Sequence, residues 1–468
     1  MEGLSLLEDW RRGLELDRPT TIPWKAKAVL GWMDGTERCW GLRMVDERKD
    51  GGGANPIGIL IADTNKNTRA FYNTALMKTG GFVVWTASTA EDALATLESI
   101  PPGNLSVVVF DLTETGLDGH VLLQKIRKRT KFGRVGILII SDALAPEDHF
   151  LLREMEVRHF LPKSVGQGDF LQKIREVHHE MLQKSALFDV VKELEEALRN
   201  NDIAKCEEVL ESVVLKDAMN ADSEYAPYRA EVMLLKQQVA DAIQFLSDYL
   251  HSNAQAGKPE TFRALSVFGK ALCLSNRYEE AMQVFKKLAD KSPSNLAHKV
   301  NLGDAMLGAG DVEGAKKQYD AVLARDPENA DAAVGEGKVA LAEGRSSDAM
   351  DLFARINGPI ESYSLASFFN NAAVLMVRAG KPQEALTLYQ NAMQFFDKYK
   401  MLIYFNRGIA LLRVGKVEAA CECFDFVLRD ATTDFIEKKA ILKEYRESGV
   451  EHMIHKYSGR DNRDLEPD

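Results

Sequence analysis

Cysteine is scarce in this sequence. Cys39, Cys206, Cys273, Cys421 and Cys423 are scattered over 468 positions. An odd, dispersed set makes no disulfide framework and fits reduced thiols in a cytosol. Cys421 and Cys423 lack a second pair at zinc-binding spacing, which argues against a structural zinc site. Long apolar runs are absent too, and none reaches the roughly 20 residues that span a bilayer. Positive charge is in deficit: 59 Lys and Arg stand against 70 Asp and Glu, a formal net charge of -11. A general nucleic-acid binder needs a basic face to displace counterions. The basic cluster Lys125, Arg127, Lys128, Arg129 and Lys131 reads instead as the solvated face of a helix. The first ten residues lack a basic start followed by an apolar core, so no signal peptide is expected. The expectation is a cytoplasmic chain with no membrane insertion and no nucleic-acid partner. At this length two to four domains are expected.

Residues 1–55 are the least readable. Four of the five tryptophans lie there, at Trp10, Trp24, Trp32 and Trp40. Asp34-Gly35 sits between loosely alternating segments, a hairpin signal. The tryptophans either pack on a neighbouring domain or form a partner-binding surface. Residues 49–55 read as a flexible linker.

From Ile57 the pattern becomes short apolar runs separated by amphipathic segments. The runs are Ile57–Ala62, Phe82–Trp85, Val107–Phe110, Val135–Ile140 and Val157–Leu161. Helical stretches lie near 66–79, 89–99, 120–130 and 147–155, and a fifth starts near Asp169. Continuous rather than alternating apolar runs are those of strands buried on both faces, so the expected fold is a doubly wound α/β domain with a five-stranded parallel sheet. Ligands of such sheets bind outside the carboxyl ends of the strands. Asp63, Asp111, Ser141 and Lys163 follow the first, third, fourth and fifth strands. A carboxylate can act as the nucleophile toward a phosphoryl donor. A second can help hold magnesium. A hydroxyl and an ammonium can bind acyl-phosphate oxygens.

Residues 56–180 resemble the receiver domain of bacterial response regulators. The resemblance rests on Asp63 in Ile59-Leu60-Ile61-Ala62-Asp63, on Asp111 with Asp118-Gly119 at the family's offset, and on Ser141 and Lys163. It implies that Asp111 accepts a phosphoryl group from a sensor histidine kinase or a phosphotransfer protein. It also implies a magnesium site at Asp63 and Asp111, phosphate contacts from Ser141 and Lys163, and Phe160 as the aromatic that reorients with the hydroxyl. Four positions depart from the family. Thr64 replaces the second acid and so weakens the expected magnesium site. Glu114-Thr115 replaces Met-Pro, Asp142 replaces a small residue, and Ser164 replaces a proline. Glu114 is a candidate for the missing carboxylate. The alternative is a degenerate receiver with an Asp111–Lys163 ion pair, acting as a constitutive scaffold or as a regulator of a kinase.

After Asp169 the apolar helical face continues through Leu182 toward Leu194, so the last receiver helix runs into, or nearly touches, the next domain. His178-His179 on that face point to different sides and read as structural. From about 187 a repeat takes over. Ala281, Ala315, Ala349, Ala385 and Ala420 recur at spacings of 34, 34, 36 and 35. Each is followed after four residues by an aromatic: Phe285, Tyr319, Phe353, Tyr389 and Phe424. Twelve residues before each stands Gly269, Gly303, Gly337, Ala373 or Gly408, and five before stands Asn276, Gly310, Gly344, Gly380 or Gly415. Small residues let two helices of a hairpin approach, and glycine or asparagine supplies the turn between them. Proline at 293 and 327 stops the second helix.

This register resembles the tetratricopeptide repeat. It implies an all-α superhelix with five repeats over 262–434. A helical connection over 181–261 is expected to hold two degenerate units, with Cys206 and Ala242 in the alanine place. A capping helix and polar tail are expected over 435–468. In that family the concave groove holds a protein or peptide, here unidentified. Asn301, Asn371 and Asn406, two residues before the small residue, are the groove candidates, with local hydrogen bonding as the other reading. No enzymatic output motif is recognised, and the chain is not expected to be an enzyme. The expected function is a two-component response regulator with a protein-binding output.

Overall fold

The computed structural model describes residues 56–457, apart from 102, 115, 143, 185, 213–224, 254–258, 355–368, 370, 371, 374, 375, 378, 379 and 396–399. The proposed hairpin and tryptophans of residues 1–55, the polar tail and Asn371 lie outside the described residues.

The apolar runs become five strands: β1 (Ile57–Ala62), β2 (Phe82–Ala87), β3 (Val107–Phe110), β4 (Gly136–Ile140) and β5 (His159–Leu161). They form one parallel sheet in the order β2-β1-β3-β4-β5. β1 and β3 lie centrally, and all four residues of β3 are buried, as an unbroken Val-Val-Val-Phe run requires. The helices after the strands are α1 (Lys66–Thr79), α2 (Ala90–Ser99), α3 (Gly119–Lys128), α4 (Pro146–Glu154) and α5 (Gln167–Leu182). Their starts follow from capping: Asn65, Thr89 and Asp118 each accept a bond from a backbone N–H of the first turn. β4 starts one residue later than the apolar run predicts. Gly136 opens it, and a Cβ there would lie 2.3 Å from Val177 of α5. β5 also starts two residues late, and Val157 is buried outside the strand.

By its contacts the described chain forms two units. The first comprises the sheet with α1, α2, α3 and α5. The second comprises residues 145–155, which carry α4, together with the helices after 186. α5 ends at Leu182, where the Gln183 N–H closes on the carbonyls of His179 and Glu180, and a separate helix, α6 (Ala186–Arg199), comes next.

The second unit is built of helical hairpins. α6 pairs with α7 (Ile203–Glu211), and α8 (Ala226–Leu235) with α9 (Val239–Ser252). Cys206 and Ala242, which hold the alanine place of the two weaker units, are fully buried. The next helices are α10 (Pro259–Leu274), α11 (Tyr278–Lys291), α12 (Leu296–Gly308), α13 (Val312–Leu323), α14 (Ala330–Ala342) and α15 (Ser346–Ala354). After them come α16 (Pro382–Phe395), α17 (Lys400–Arg413) and α18 (Val417–Asp430). Arg263 of α10 joins the weaker units to the stronger ones. Its guanidinium lies over the Tyr228 ring of α8, 3.7 Å from the centroid, and pairs with Glu231 of α8 at 2.9 Å.

The repeat register has a direct physical origin. All five alanines and all five aromatics are buried. The turn residues Asn276, Gly310, Gly344, Gly380 and Gly415 all have φ between 60° and 90°, the left-handed region that ends a helix cheaply only at glycine or asparagine. Four of the aromatics lie on the backbone of the preceding helix. A Cβ at Gly269, Gly303, Gly337 or Gly408 would stand 2.4–2.7 Å from the ring of Phe285, Tyr319, Phe353 or Phe424. Past the last hairpin, Tyr445 of α19 (Ala440–Tyr457) packs on Phe424 and donates to Asp425 at 2.8 Å.

Helix α4 is held within this second unit. Phe150 meets Phe262 of α10 edge-on, with centroids 5.8 Å apart. Glu154 is clamped by α12: one carboxylate oxygen faces His298 Nε2 at 2.6 Å, and the other accepts from Asn295 Nδ2 at 2.8 Å. The side chains of His298 and Glu154 are only 6% and 7% exposed.

Candidate functional site

Four of the residues that end strands do converge. β1 and β3 are neighbours, and they deliver Asp63 and Asp111 as adjacent buried carboxylates. Lys163, after β5, reaches Asp111 Oδ2 at 2.6 Å. Ser141, after β4, is linked to Asp111 through Thr113. The Thr113 hydroxyl lies 2.9 Å from Ser141 Oγ and donates to Asp111 Oδ1 at 3.0 Å, and the Thr113 N–H bonds the same oxygen at 2.9 Å. Both oxygens of Asp111 are therefore held. The sequence does not single out Thr113, since its role depends on the path of the loop after the strand.

The loop from Asp111 to α3 is fixed at its far end. Asp118 adopts a left-handed backbone and caps α3 with its own side chain. Gly119 comes next because a Cβ there would lie 2.3 Å from the Asp111 carbonyl oxygen. The Asp-Gly pair thus lets the helix start press against the strand end.

Glu114 turns into the pocket. The Thr64 hydroxyl donates to its Oε1. Its Oε2 is buried without a hydrogen-bond partner and lies 3.9 Å from the Lys163 ammonium. Arg69 binds the backbone carbonyls of Asp63 and Thr64 rather than a carboxylate. Asp142 is turned aside, its Oδ1 accepting from the Lys163 N–H at 2.8 Å. Its carboxylate therefore ties the ends of β4 and β5 together. Phe160 points outward and is 52% exposed.

Burial first, and then the carboxylate of Glu114, push Asp63 up to about 6, against the opposing bond from Asn65 N–H. Burial acts against the charge of Lys163, but the bond to Asp111, with Glu114 and Asp63 nearby, holds its pKa above the ordinary lysine value. The Asp63 shift has a sign that stability reports. Below about pH 4 the carboxyl is protonated whether folded or not. From there to about 6 the folded state keeps a proton that the unfolded chain releases, so stability falls as pH rises through this window. Asp63→Asn is expected to raise the melting temperature in magnesium-free buffer near pH 8, with the gain vanishing near pH 4. A gain that does not depend on pH, read by thermal unfolding across that range, rules out this account.

The groove candidates are placed unequally. Asn406 is buried, and its amide donates to the Leu402 carbonyl one turn back at 3.2 Å, a local bond. Asn301 is half-buried. In the third repeat the same place holds Gly335, where the Tyr319 ring lies. Among the described residues no helix is long and apolar enough to cross a membrane. Among them too, no group of three or more His, Cys, Asp or Glu side chains is already gathered at metal-binding distance.

The family model for the response regulator receiver domain matches residues 59–175. Tetratricopeptide repeat models match residues 272–325 and 300–359. The curated Cellulose synthase 1 operon protein C of Komagataeibacter xylinus is 31% identical over 90 residues, which are 19% of this chain and 7% of that protein. This chain thus spans only a small part of that relative's length. Among solved structures, a CheY-like response regulator receiver domain protein from Methanospirillum hungatei JF-1 is 22% identical, with a TM-score of 0.26 over 28% of this chain and 99% of that one. A tetratricopeptide repeat protein from Parabacteroides merdae ATCC 43184 is 13% identical, with a TM-score of 0.37 over 58% of this chain and 99% of that one.

Proposed function

We propose that this chain, a receiver domain joined to tetratricopeptide repeats, is a two-component response regulator whose Asp111 accepts a phosphoryl group and whose repeats bind a protein partner. The observation that carries the reading is the setting of Asp111: buried at a strand end, 2.6 Å from the Lys163 ammonium, and linked through Thr113 to Ser141. In the proposed step a carboxylate oxygen of Asp111 attacks the phosphorus of a phosphohistidine on a kinase or phosphotransfer protein. The new O–P bond forms as the donor's N–P bond breaks, and the imidazole leaves with the electron pair. Lys163, already on Asp111, binds an oxygen of the acyl phosphate, and the Ser141 hydroxyl donates to another.

Magnesium belongs to this reading by resemblance to receiver domains, and the two strand-end carboxylates it would need, Asp63 and Asp111, are both buried in this pocket. Asp63 and Asp111 would hold the ion, which offsets the charge of the anionic donor. The chain's own part is to orient Asp111 and to supply Lys163 and Ser141.

The competing reading is a degenerate receiver on a constitutive scaffold or a regulator of a kinase, favoured by Thr64 in the place of the second acid. Incubation of the full chain with magnesium and acetyl phosphate, followed by intact-mass measurement, separates the two. The wild type should gain one phosphoryl group and Asp111→Asn none. If neither protein is modified by acetyl phosphate or by a histidine kinase, the scaffold reading stands.

A further inference from the structure

We infer that a second copy of this chain pairs with the outer edge of β2, antiparallel and centred on Val84. β2 has the composition of a buried strand, Phe-Val-Val-Trp-Thr-Ala, yet it stands at one end of the sheet. Only Ala87 of its six residues is buried, whereas every residue of β3 and β4 is. Val83 is 40% exposed. The other end of the sheet is protected. β5 has three residues, and its His159 is bonded to Glu180 at 2.7 Å. Short edge strands and ionisable groups discourage pairing, and a long apolar edge strand without them invites it. Residues 79–90, which hold β2, carry no charge, so two copies meet there without like charges opposed.

The bonds between β1 and β2 fix which main-chain groups face outward. The Ile57 N–H donates to the Gly81 carbonyl at 2.9 Å, and the Asp63 N–H to the Ala87 carbonyl at 3.2 Å. The parallel register is unbroken between them. The N–H and C=O groups of Gly81, Val83, Trp85 and Ala87 therefore point toward β1, and those of Phe82, Val84 and Thr86 point away from it. Among the described residues no strand lies beyond that edge. A twofold axis at Val84 uses all three outward residues. Val84 pairs with Val84 of the second copy, and Phe82 pairs with Thr86, each pair exchanging N–H···O=C bonds. The same register sets Val83 opposite Trp85 twice on the other face, a β-branched and aromatic pair of the kind that stabilises adjacent strands. The strand is thus complementary to itself, and a parallel sheet commonly carries an antiparallel strand at its edge. Six residues a side is small for an interface, so the expected dissociation constant is about 10–100 µM.

The test is sedimentation equilibrium of the full chain from about 1 to 200 µM, over which the wild type should pass from monomer to dimer. Thr86→Pro removes an outward N–H and no bond to β1, a change that edge strands tolerate. It deletes one hydrogen bond from each copy and should weaken association about 30-fold. Val83→Glu spoils the contact with Trp85 and should weaken it about tenfold. Circular dichroism confirms that each variant is folded. The register is read by cross-linking. Val84→Cys should form a disulfide-linked dimer under mild oxidation, because the paired Cα atoms would lie about 5.5 Å apart. Val83→Cys, although more exposed, should form none, since it faces Trp85. A wild type that stays monomeric at the top of the range overturns the inference, whatever else covers the edge. Association that Thr86→Pro and Val83→Glu leave unchanged places the interface elsewhere and overturns it as well. Equal cross-linking of the two cysteine variants refutes the register centred on Val84.

Discussion

Tyr319→Ala is expected to lower the stability of the repeat array by about 3–5 kcal/mol, the range for deleting a buried aromatic side chain. Tyr319 is fully buried. Its ring fills the space between two helix backbones: a Cβ at Gly303 would lie 2.7 Å from it, and one at Gly335 2.3 Å. Gly303 belongs to its own repeat and Gly335 to the next. The ring therefore sets the distance between successive hairpins as well as the closure of one. Its hydroxyl donates to Asp304 at 2.9 Å, and Lys338 of α14 meets the same Asp304 oxygen at 2.8 Å. Removing the ring leaves a cavity at an inter-repeat junction. In stacked repeats such a loss is felt through the coupling to neighbours. Two further variants separate packing from hydrogen bonding. Tyr319→Phe should cost only about 1 kcal/mol, because Lys338 still satisfies Asp304. Gly335→Ala should cost about 1–3 kcal/mol by overpacking, since the ring is trapped between two backbones. Urea unfolding followed by far-ultraviolet circular dichroism measures all three. If Tyr319→Ala costs no more than Tyr319→Phe, the ring does not bridge the repeats.

Much of this was legible in the residues. Val107–Phe110 reads as a strand buried on both faces because four apolar residues in a row leave no side for water, and all four are buried. The five turn residues of the repeats were legible because only glycine and asparagine adopt left-handed backbone cheaply, and Asn276 and its four glycine counterparts all do. Asp111 and Lys163 were readable as strand-end residues, and they pair. Thr113 and Glu114 were harder. Both lie in a loop, where side-chain direction follows from backbone path rather than from period. Glu114 was visible as a surplus acid, but its contact with Thr64 depends on the turn at Gly116. The asparagine groove reading is harder to decide from the sequence. A shared position in the repeat does not fix a shared role: Asn406 bonds its own helix, and Gly335 at that place receives a ring.

Glu154→Ala is expected to cost about 3 kcal/mol, because it removes a buried carboxylate and leaves the groups that bond it unsatisfied in a site closed to water. Glu154 and His298 are 144 residues apart, and nothing in the spacing of either announces the contact. Both oxygens of Glu154 are used, one facing His298 Nε2 and the other accepting from Asn295 Nδ2. Asn295 also caps α12, with its own oxygen accepting from Ala297 N–H. Without the carboxylate, two donors on a helix start lose their acceptor in a site closed to water. His298 Nδ1 has no hydrogen-bond partner, and Nε2 would be left with only its longer 3.2 Å contact to Asn295 Nδ2. Glu154→Leu with His298→Leu should recover much of the loss, because replacing both partners of a buried pair by apolar groups removes the desolvation cost along with the attraction. The two single variants and the double form a cycle whose coupling energy measures the clamp itself. Additive losses would show that the two residues act independently. The clamp has a functional reading under the proposed phosphorylation. α4 comes after Ser141 in the chain within a few residues, and its contacts are with the repeats. Under that proposal, a change at Ser141 is expected to be passed along the chain to this segment, which Asn295 and His298 hold at Glu154. Weakening the clamp should leave phosphoryl uptake by Asp111 intact while uncoupling it from any change in amide-exchange protection at α10 and α12. Hydrogen exchange of wild type and Glu154→Ala, with and without acetyl phosphate, reads that difference directly. Equal protection changes in the two proteins would rule out α4 as the coupling element.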